Sequence, residues 1–298
     1  EKNGSIAPFL SKKVDEGLYL ENYYANSPWT VPAHASLFSG QLPSEHGTTT
    51  ENTYFGEENK LTSMLESERF ATSAFTENHL ITEETGFSEG FQEFKQTTED
   101  LGGEVWKEIW QKDDEFSGRK DKYSHFFKEA IKRRDKESAK SFFGHILDKL
   151  SSREADFNSG KTVRTLEEAN HKISSEDDDF VFVNIMPVHS PYTFDEEDRK
   201  RFLSEYSEGE IQEASQTKVL EDYLPEGFSD KKLEIREKAY RSSIRYADRM
   251  IENFYKEAPE ETVFIVLGDH GELIGEYEQQ ETKLIGHHLG TYKELVEV

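Results

Sequence analysis

The 298-residue sequence contains no cysteine, which excludes disulfide bridges and thiolate metal ligands. Only eight prolines interrupt it, so each marks a particular turn or helix start. No apolar run approaches the ~20 residues that a membrane-spanning helix needs. Basic side chains are in short supply, 36 against 61 acidic ones, and the formal charge of −25 repels nucleic acid and anionic membrane surfaces. No secretory signal opens the sequence at Glu1, which leaves the compartment open. What remains is a chain long enough to bury a full core, expected as one α/β domain over residues 1–298.

Hydrophobic periodicity predicts the elements. Residues 18–24 alternate apolar and polar and read as a strand. A helix follows, with Thr30 at its N-cap, Pro32 in its first turn and Gly40 closing it. A short amphipathic helix is expected at 61–68, a strand at 70–75 and a glycine-framed turn at 86–91. From about 100 to 172 the chain is strongly charged and helical in pattern, read as an insertion within the domain. Residues 180–186 and 262–267 are near-continuous apolar runs, the mark of strands covered on both faces. Between them, 231–256 carries apolar residues at intervals of three and four, including Tyr240, Ile244, Ala247, Ile251 and Phe254, and predicts the longest helix.

Three of the expected strands deliver a chemically useful side chain just past their carboxyl ends: Thr30, His189, and Asp269 with His270. Open parallel sheets build sites from those loops, so residues distant in sequence are expected to meet at one rim. The Thr30 hydroxyl, at a helix N-terminus, suits a nucleophile whose product is an oxyanion, and equally suits an ordinary cap. Asp269-His270-Gly271 offers a carboxylate and an imidazole from adjacent residues, a divalent-metal half-site: Zn²⁺ or Mn²⁺ fits mixed donors, whereas Ca²⁺ or Mg²⁺ would require more oxygens. His287 and His288 could ligate a metal or serve a leaving group, and His34, one turn beyond Thr30, faces the same place.

The blocks Ser27-Pro28-Trp29-Thr30-Val31-Pro32-Ala33-His34-Ala35-Ser36-Leu37-Phe38-Ser39-Gly40, Pro43-Ser44-Glu45-His46-Gly47, Met186-Pro187-Val188-His189-Ser190-Pro191-Tyr192 and Gly268-Asp269-His270-Gly271-Glu272 resemble, in order, those of the sulfatase family of the alkaline-phosphatase superfamily. The resemblance implies an alkaline-phosphatase-like sandwich, a mostly parallel central sheet with helices on both faces. It also implies one or two divalent metals, with Thr30, Asp269 and His270 at the metal, and His189, His287 and His288 as catalytic histidines. A second signature resembles Phe70–His79 and implies substrate contacts from Asn78 and His79, alongside His34; the family's lysine there corresponds to Glu77. Sulfatases attack through a formylglycine made from Cys or Ser. Thr30 cannot become one, and related phosphodiesterases, phosphonate hydrolases and phosphoglycerol transferases use threonine directly. The implied substrate is a small sulfate or phosphate ester, with hydrolysis as the implied reaction. Transfer to a glycan or lipid alcohol, or a catalytically silent binding domain, is the alternative. The resemblance further implies a first strand with metal-binding aspartates before Glu1 and a small C-terminal subdomain after Val298.

Overall fold

The computed structural model describes residues 5–56, 60–97, 128–129, 132–133, 159–173, 179–215, 229–279, 282–286 and 296. The chain divides into two compact units, residues 1–97 with 157–298, and residues 98–156. In the second unit, Lys132 and Arg133 both pair with Glu129. Most of the charged span expected to be helical, about 100–172, lies outside the described residues.

The first unit is organised around β1 (Ala71–Thr76), five of whose six residues are buried. It is flanked by β2 (Glu93–Gln96) and β3 (Asp179–Asn184), both parallel to it, in the order β2-β1-β3. Ala71 lies opposite Asp179 and Thr76 opposite Asn184, so β1 and β3 end together. A parallel strand needs a long crossover, and helices carried by the crossovers cover the sheet.

On one face lies α2 (Thr30–Ser39), whose Val31, Ala35 and Phe38 join Phe55, Ile81 and Phe87 in a core against Phe94, Phe180 and Phe182. Gly40 stops this helix in the left-handed conformation, φ +69°. Below it, α3 (Pro43–His46) and α4 (Leu61–Ser67) form short turns. Lys60, just before α4, is buried, and its ammonium bonds the carbonyls of Phe55 and Gly86 and the Glu89 carboxylate. On the other face lies α5 (Ser159–Ile173). Lys95 and Glu93, which alternate with Phe94 along β2, pair with Glu168 and Lys172 of α5. Helices therefore cover both faces, as the resemblance implied.

The chain then forms α6 (Glu196–Phe202), α7 (Glu208–Ser215) and the long α8 (Asp230–Glu257), capped by the Ser229 hydroxyl on the Lys232 N–H. A second core of Tyr192, Phe194, Leu203, Ile211, Ile235 and Tyr246 joins them. The N-terminal helix α1 (Pro8–Glu16) is tied to α8 because the buried Asp248 carboxylate accepts the Phe9 and Leu10 N–H groups at 3.0 and 2.9 Å. A hairpin, β4 (Leu273–Gln279) with β5 (Thr282–Gly286), was not foreseen from the sequence.

Two expected strands differ. Residues 18–24 are irregular except for a single bridge at Tyr24, beside an Ala25 N–H bond to the Val296 carbonyl. Residues 262–267 form no ladder either, and Val263 and Ile265 are over 80 % exposed. An apolar run becomes a strand only where a neighbour supplies the other half of each hydrogen bond, and among the described residues neither run joins a sheet. The 231–256 helix and the strands at 70–75 and 180–186 match to within two residues.

Candidate active site

Thr30 is the first residue of α2 rather than its cap; Trp29 holds the cap position, and its side chain makes no capping hydrogen bond. The Thr30 hydroxyl is thereby released from capping, and Oγ1 lies 3.1 Å from His270 Nε2. His270 Nδ1 lies 2.8 Å from the Gly271 carbonyl, so Nδ1 carries the hydrogen and Nε2 presents a lone pair, which accepts the Thr30 O–H. The His270 N–H donates to Asp269 Oδ1, while Asp269 Oδ2 stands 3.5 Å from Nε2. Three donors from both ends of the chain therefore share one spot.

His34 closes it from below. One helical turn after Thr30, its Nδ1 lies 2.9 Å from the Thr30 carbonyl and 3.5 Å from Asp269 Oδ2. Both are acceptors, so Nδ1 bears the hydrogen and Nε2 accepts from Asn184 Nδ2 at 3.3 Å. Burial pushes the His34 imidazole below its ordinary value against the opposing pull of Asp269, so it is held neutral. A neutral, fully bonded His34 fixes the backbone at Thr30 rather than adding charge there.

Asn184, at the end of β3, carries the arrangement across the sheet. Its carbonyl accepts the Glu77 N–H, just past the end of β1. The buried Glu77 carboxylate accepts the Met186 N–H at 3.0 Å and the Thr162 hydroxyl at 3.2 Å, and its carbonyl accepts Lys161 Nζ at 3.2 Å. Burial raises its affinity for a proton, opposed by the Met186 bond and the Lys161 charge. The His189 N–H bonds the Met186 carbonyl, and its Nδ1 donates to Ser190 O. His79 and His189 are electrostatic neighbours: burial, His189 and Lys161 together lower the His79 affinity for a proton.

Thr30, His34, Asp269 and His270 are thus brought together, while Asn78 and His79 follow the end of β1, and His189 the end of β3, in the chain. His287 and His288 lie outside the described residues. Asn184 and Glu77 were not foreseen as connectors. Their signal was a polar residue at the carboxyl end of an otherwise apolar run. Beside Asp269 opens a cavity of about 200 Å³ lined in part by Tyr23, Tyr24, Asn26, Ala33 and Leu267, of a size for a small group rather than a large ligand.

The sulfatase family model matches residues 2–297. The chain belongs to the sulfatase family. Among solved structures it is similar to the phosphonate monoester hydrolase of Agrobacterium radiobacter, with a TM-score of 0.59 at 13 % identity. That match covers 98 % of this chain and 62 % of the hydrolase, so this sulfatase-family chain spans less than two thirds of that protein's length. At this identity the likeness establishes the alkaline-phosphatase-like fold. No significant match was found among curated protein sequences.

As to a metal, Asp269 Oδ2, His270 Nε2 and Thr30 Oγ1 have the oxygen and nitrogen donor chemistry that a divalent cation accepts, and they converge within 3.1–3.5 Å of His270 Nε2. Among the described residues no cluster of three His, Cys, Asp or Glu side chains could hold a metal. The three donors fit part of a coordination shell, which further oxygens would have to complete. Among the described residues no helix is long and apolar enough to cross a membrane.

Proposed function

We propose that this sulfatase-family chain is a hydrolase of phosphate or sulfate esters that uses Thr30 directly as nucleophile. The observation that carries the reading is the Thr30 hydroxyl, freed from capping and hydrogen-bonded to His270 Nε2 beside Asp269. Its hydrogen is directed at the imidazole, which leaves the Oγ1 lone pairs for an incoming phosphorus or sulfur atom. The N-terminal end of α2 and the His189 side would offer positive potential to the non-bridging oxygens. Attack forms the bond from Oγ1 to phosphorus or sulfur and breaks the ester bond. The departing oxygen takes a proton from His287 or His288, and water then cleaves the threonine ester. A divalent cation held by Asp269 and His270 Nε2 would take the place of the Thr30 hydrogen at that nitrogen; it would lower the Thr30 pKa, so that the hydroxyl proton leaves to solvent, and neutralise the transferring group. His34 and Asn184 hold Thr30 in register throughout.

The test is steady-state turnover of an aryl phosphodiester, an aryl phosphonate monoester and an aryl sulfate with added divalent metal. Thr30→Ala is expected to lower kcat by roughly 10³-fold or more on whichever ester is cleaved. Undiminished turnover by Thr30→Ala would remove Thr30 from the chemistry.

A further inference from the structure

Beyond Thr76 the parallel ladder of β1 and β3 continues for one more bond, from the Glu77 N–H to the Asn184 carbonyl at 2.9 Å. In such a ladder the next bond returns from the Met186 N–H to the Glu77 carbonyl. Here the Met186 N–H goes to the Glu77 side chain instead, with Oε2 at 3.0 Å, and the Glu77 carbonyl accepts Lys161 Nζ at 3.2 Å. The carboxylate thus stands in for the carbonyl, a side chain's length further from the β1 backbone, and β3 leaves the sheet at that point. The chain turns at once. The His189 N–H donates to the Met186 carbonyl at 3.1 Å, His189 Nδ1 donates to the Ser190 carbonyl at 2.6 Å, and the Thr193 N–H closes the loop on the Pro187 carbonyl at 2.9 Å.

Packing alone does not account for a carboxylate at this place. Glu77 is 4 % exposed, Oε2 accepts both the Met186 N–H and the Thr162 hydroxyl, and Oε1 makes no hydrogen bond among the described residues. An apolar side chain of the same size would avoid the cost of burying an unbonded oxygen. It would also return the Met186 N–H to the ladder or leave it without an acceptor. We infer that Glu77 is a positioning residue for His189: its reach, not its charge, takes Met186 out of the β1–β3 ladder and sets the turn that presents the imidazole. The nucleophile is held by a separate branch, the Asn184 side chain on His34 Nε2. Glu77 meets Asn184 through main-chain atoms, which a side-chain substitution leaves in place. The inference rests on the hydrolase reading only for the part that His189 plays in turnover.

The test compares three variants of the full chain. Glu77→Gln keeps an oxygen at the same reach without the charge, Glu77→Asp keeps the charge one methylene short, and Glu77→Met keeps neither. The first readout needs no turnover: the Met186 amide and His189 ring signals in NMR spectra of the ligand-free protein, the ring assigned by its loss in His189→Ala. Glu77→Gln should leave both signals near their wild-type positions, whereas Glu77→Asp and Glu77→Met should displace both. The second readout is turnover of an aryl phosphodiester. There kcat should fall roughly 10–100-fold in Glu77→Asp and Glu77→Met, with KM changing less, and stay within about threefold of wild type in Glu77→Gln. Added to His189→Ala, Glu77→Asp should cost no more than about twofold, because its effect passes through the ring already removed. The contrast between Glu77→Gln and Glu77→Asp decides the matter even if Glu77→Met does not fold. Displaced signals in Glu77→Gln with Glu77→Asp like wild type, unmoved His189 signals in Glu77→Asp, or losses that multiply in the double variant each overturn the inference. Wild-type turnover of no ester, with the NMR contrast intact, would sink the hydrolase reading and leave Glu77 as the residue that places the His189 loop.

Discussion

Arg236 of α8 is fully buried and directs its guanidinium along three lines: Nη2 to Glu272 Oε1 at 2.5 Å, Nη1 to the Ala214 carbonyl at 3.2 Å, and its face toward the Tyr192 ring at 5.2 Å. Glu272, with 9 % of its side chain exposed, lies two residues beyond His270, so this pair connects the longest helix to the loop carrying Asp269 and His270. Arg236→Met preserves most of the volume and strands a carboxylate and a carbonyl in the interior. Breaking one side of a buried pair costs about 3–5 kcal/mol, which at about 2 °C per kcal/mol for a chain of this size lowers Tm by roughly 6–10 °C. Arg236→Met/Glu272→Gln removes the uncompensated charge and should recover more than half of that loss. Urea midpoints with a constant m-value read the stability, and turnover of an aryl phosphodiester reads the loop. A single variant within about 1 kcal/mol of wild type, or a double variant less stable than the single, would refute the assignment of Arg236 as the anchor of the site loop.

Glu77→Gln tests the buried carboxylate. Because burial raises its folded-state pKa above 4.5, the folded protein binds more protons than the unfolded chain as pH rises from about 4.5 through the raised value. Stability from this group is therefore complete at the acid end and lost across that window, and Glu77→Gln should flatten the decline; an unchanged pH profile would contradict it. Asp248→Ala removes the acceptor for two N–H groups of α1, an expected loss of about 1–3 kcal/mol, seen as faster amide exchange over residues 9–16; unchanged exchange would show that α1 is held by other contacts. Gly86→Ala meets both a φ of +80° and a built Cβ only 2.5 Å from the Phe55 carbonyl oxygen and should cost more than about 1 kcal/mol; a neutral result would mean that this turn rearranges freely.

The covered strands and the amphipathic α8 were legible because burial on both faces and a 3.6-residue period leave strong patterns. The approach of Thr30 to Asp269 and His270 was legible too, since each follows an apolar run. Residues 18–24 and 262–267 were misjudged because apolar character reports a wish for a partner, not its presence. Thr30 was placed one position early: β-branched hydroxyl residues favour caps on average, and Trp29, a poor cap, occupies that position here. Asn184 and Glu77 escaped notice as connectors because their roles depend on strand register, which pairs the ends of β1 and β3 and cannot be read from either segment alone.

Everything turns on whether the Thr30 oxygen makes the new bond. The most direct measurement is peptide mapping by mass spectrometry of full-length protein acid-quenched during turnover of an aryl phosphodiester. A phosphoryl adduct on Thr30, absent from Thr30→Ala and chased by time, is the predicted result. Turnover with no adduct on Thr30, accompanied by an active Thr30→Ala protein, would contradict it.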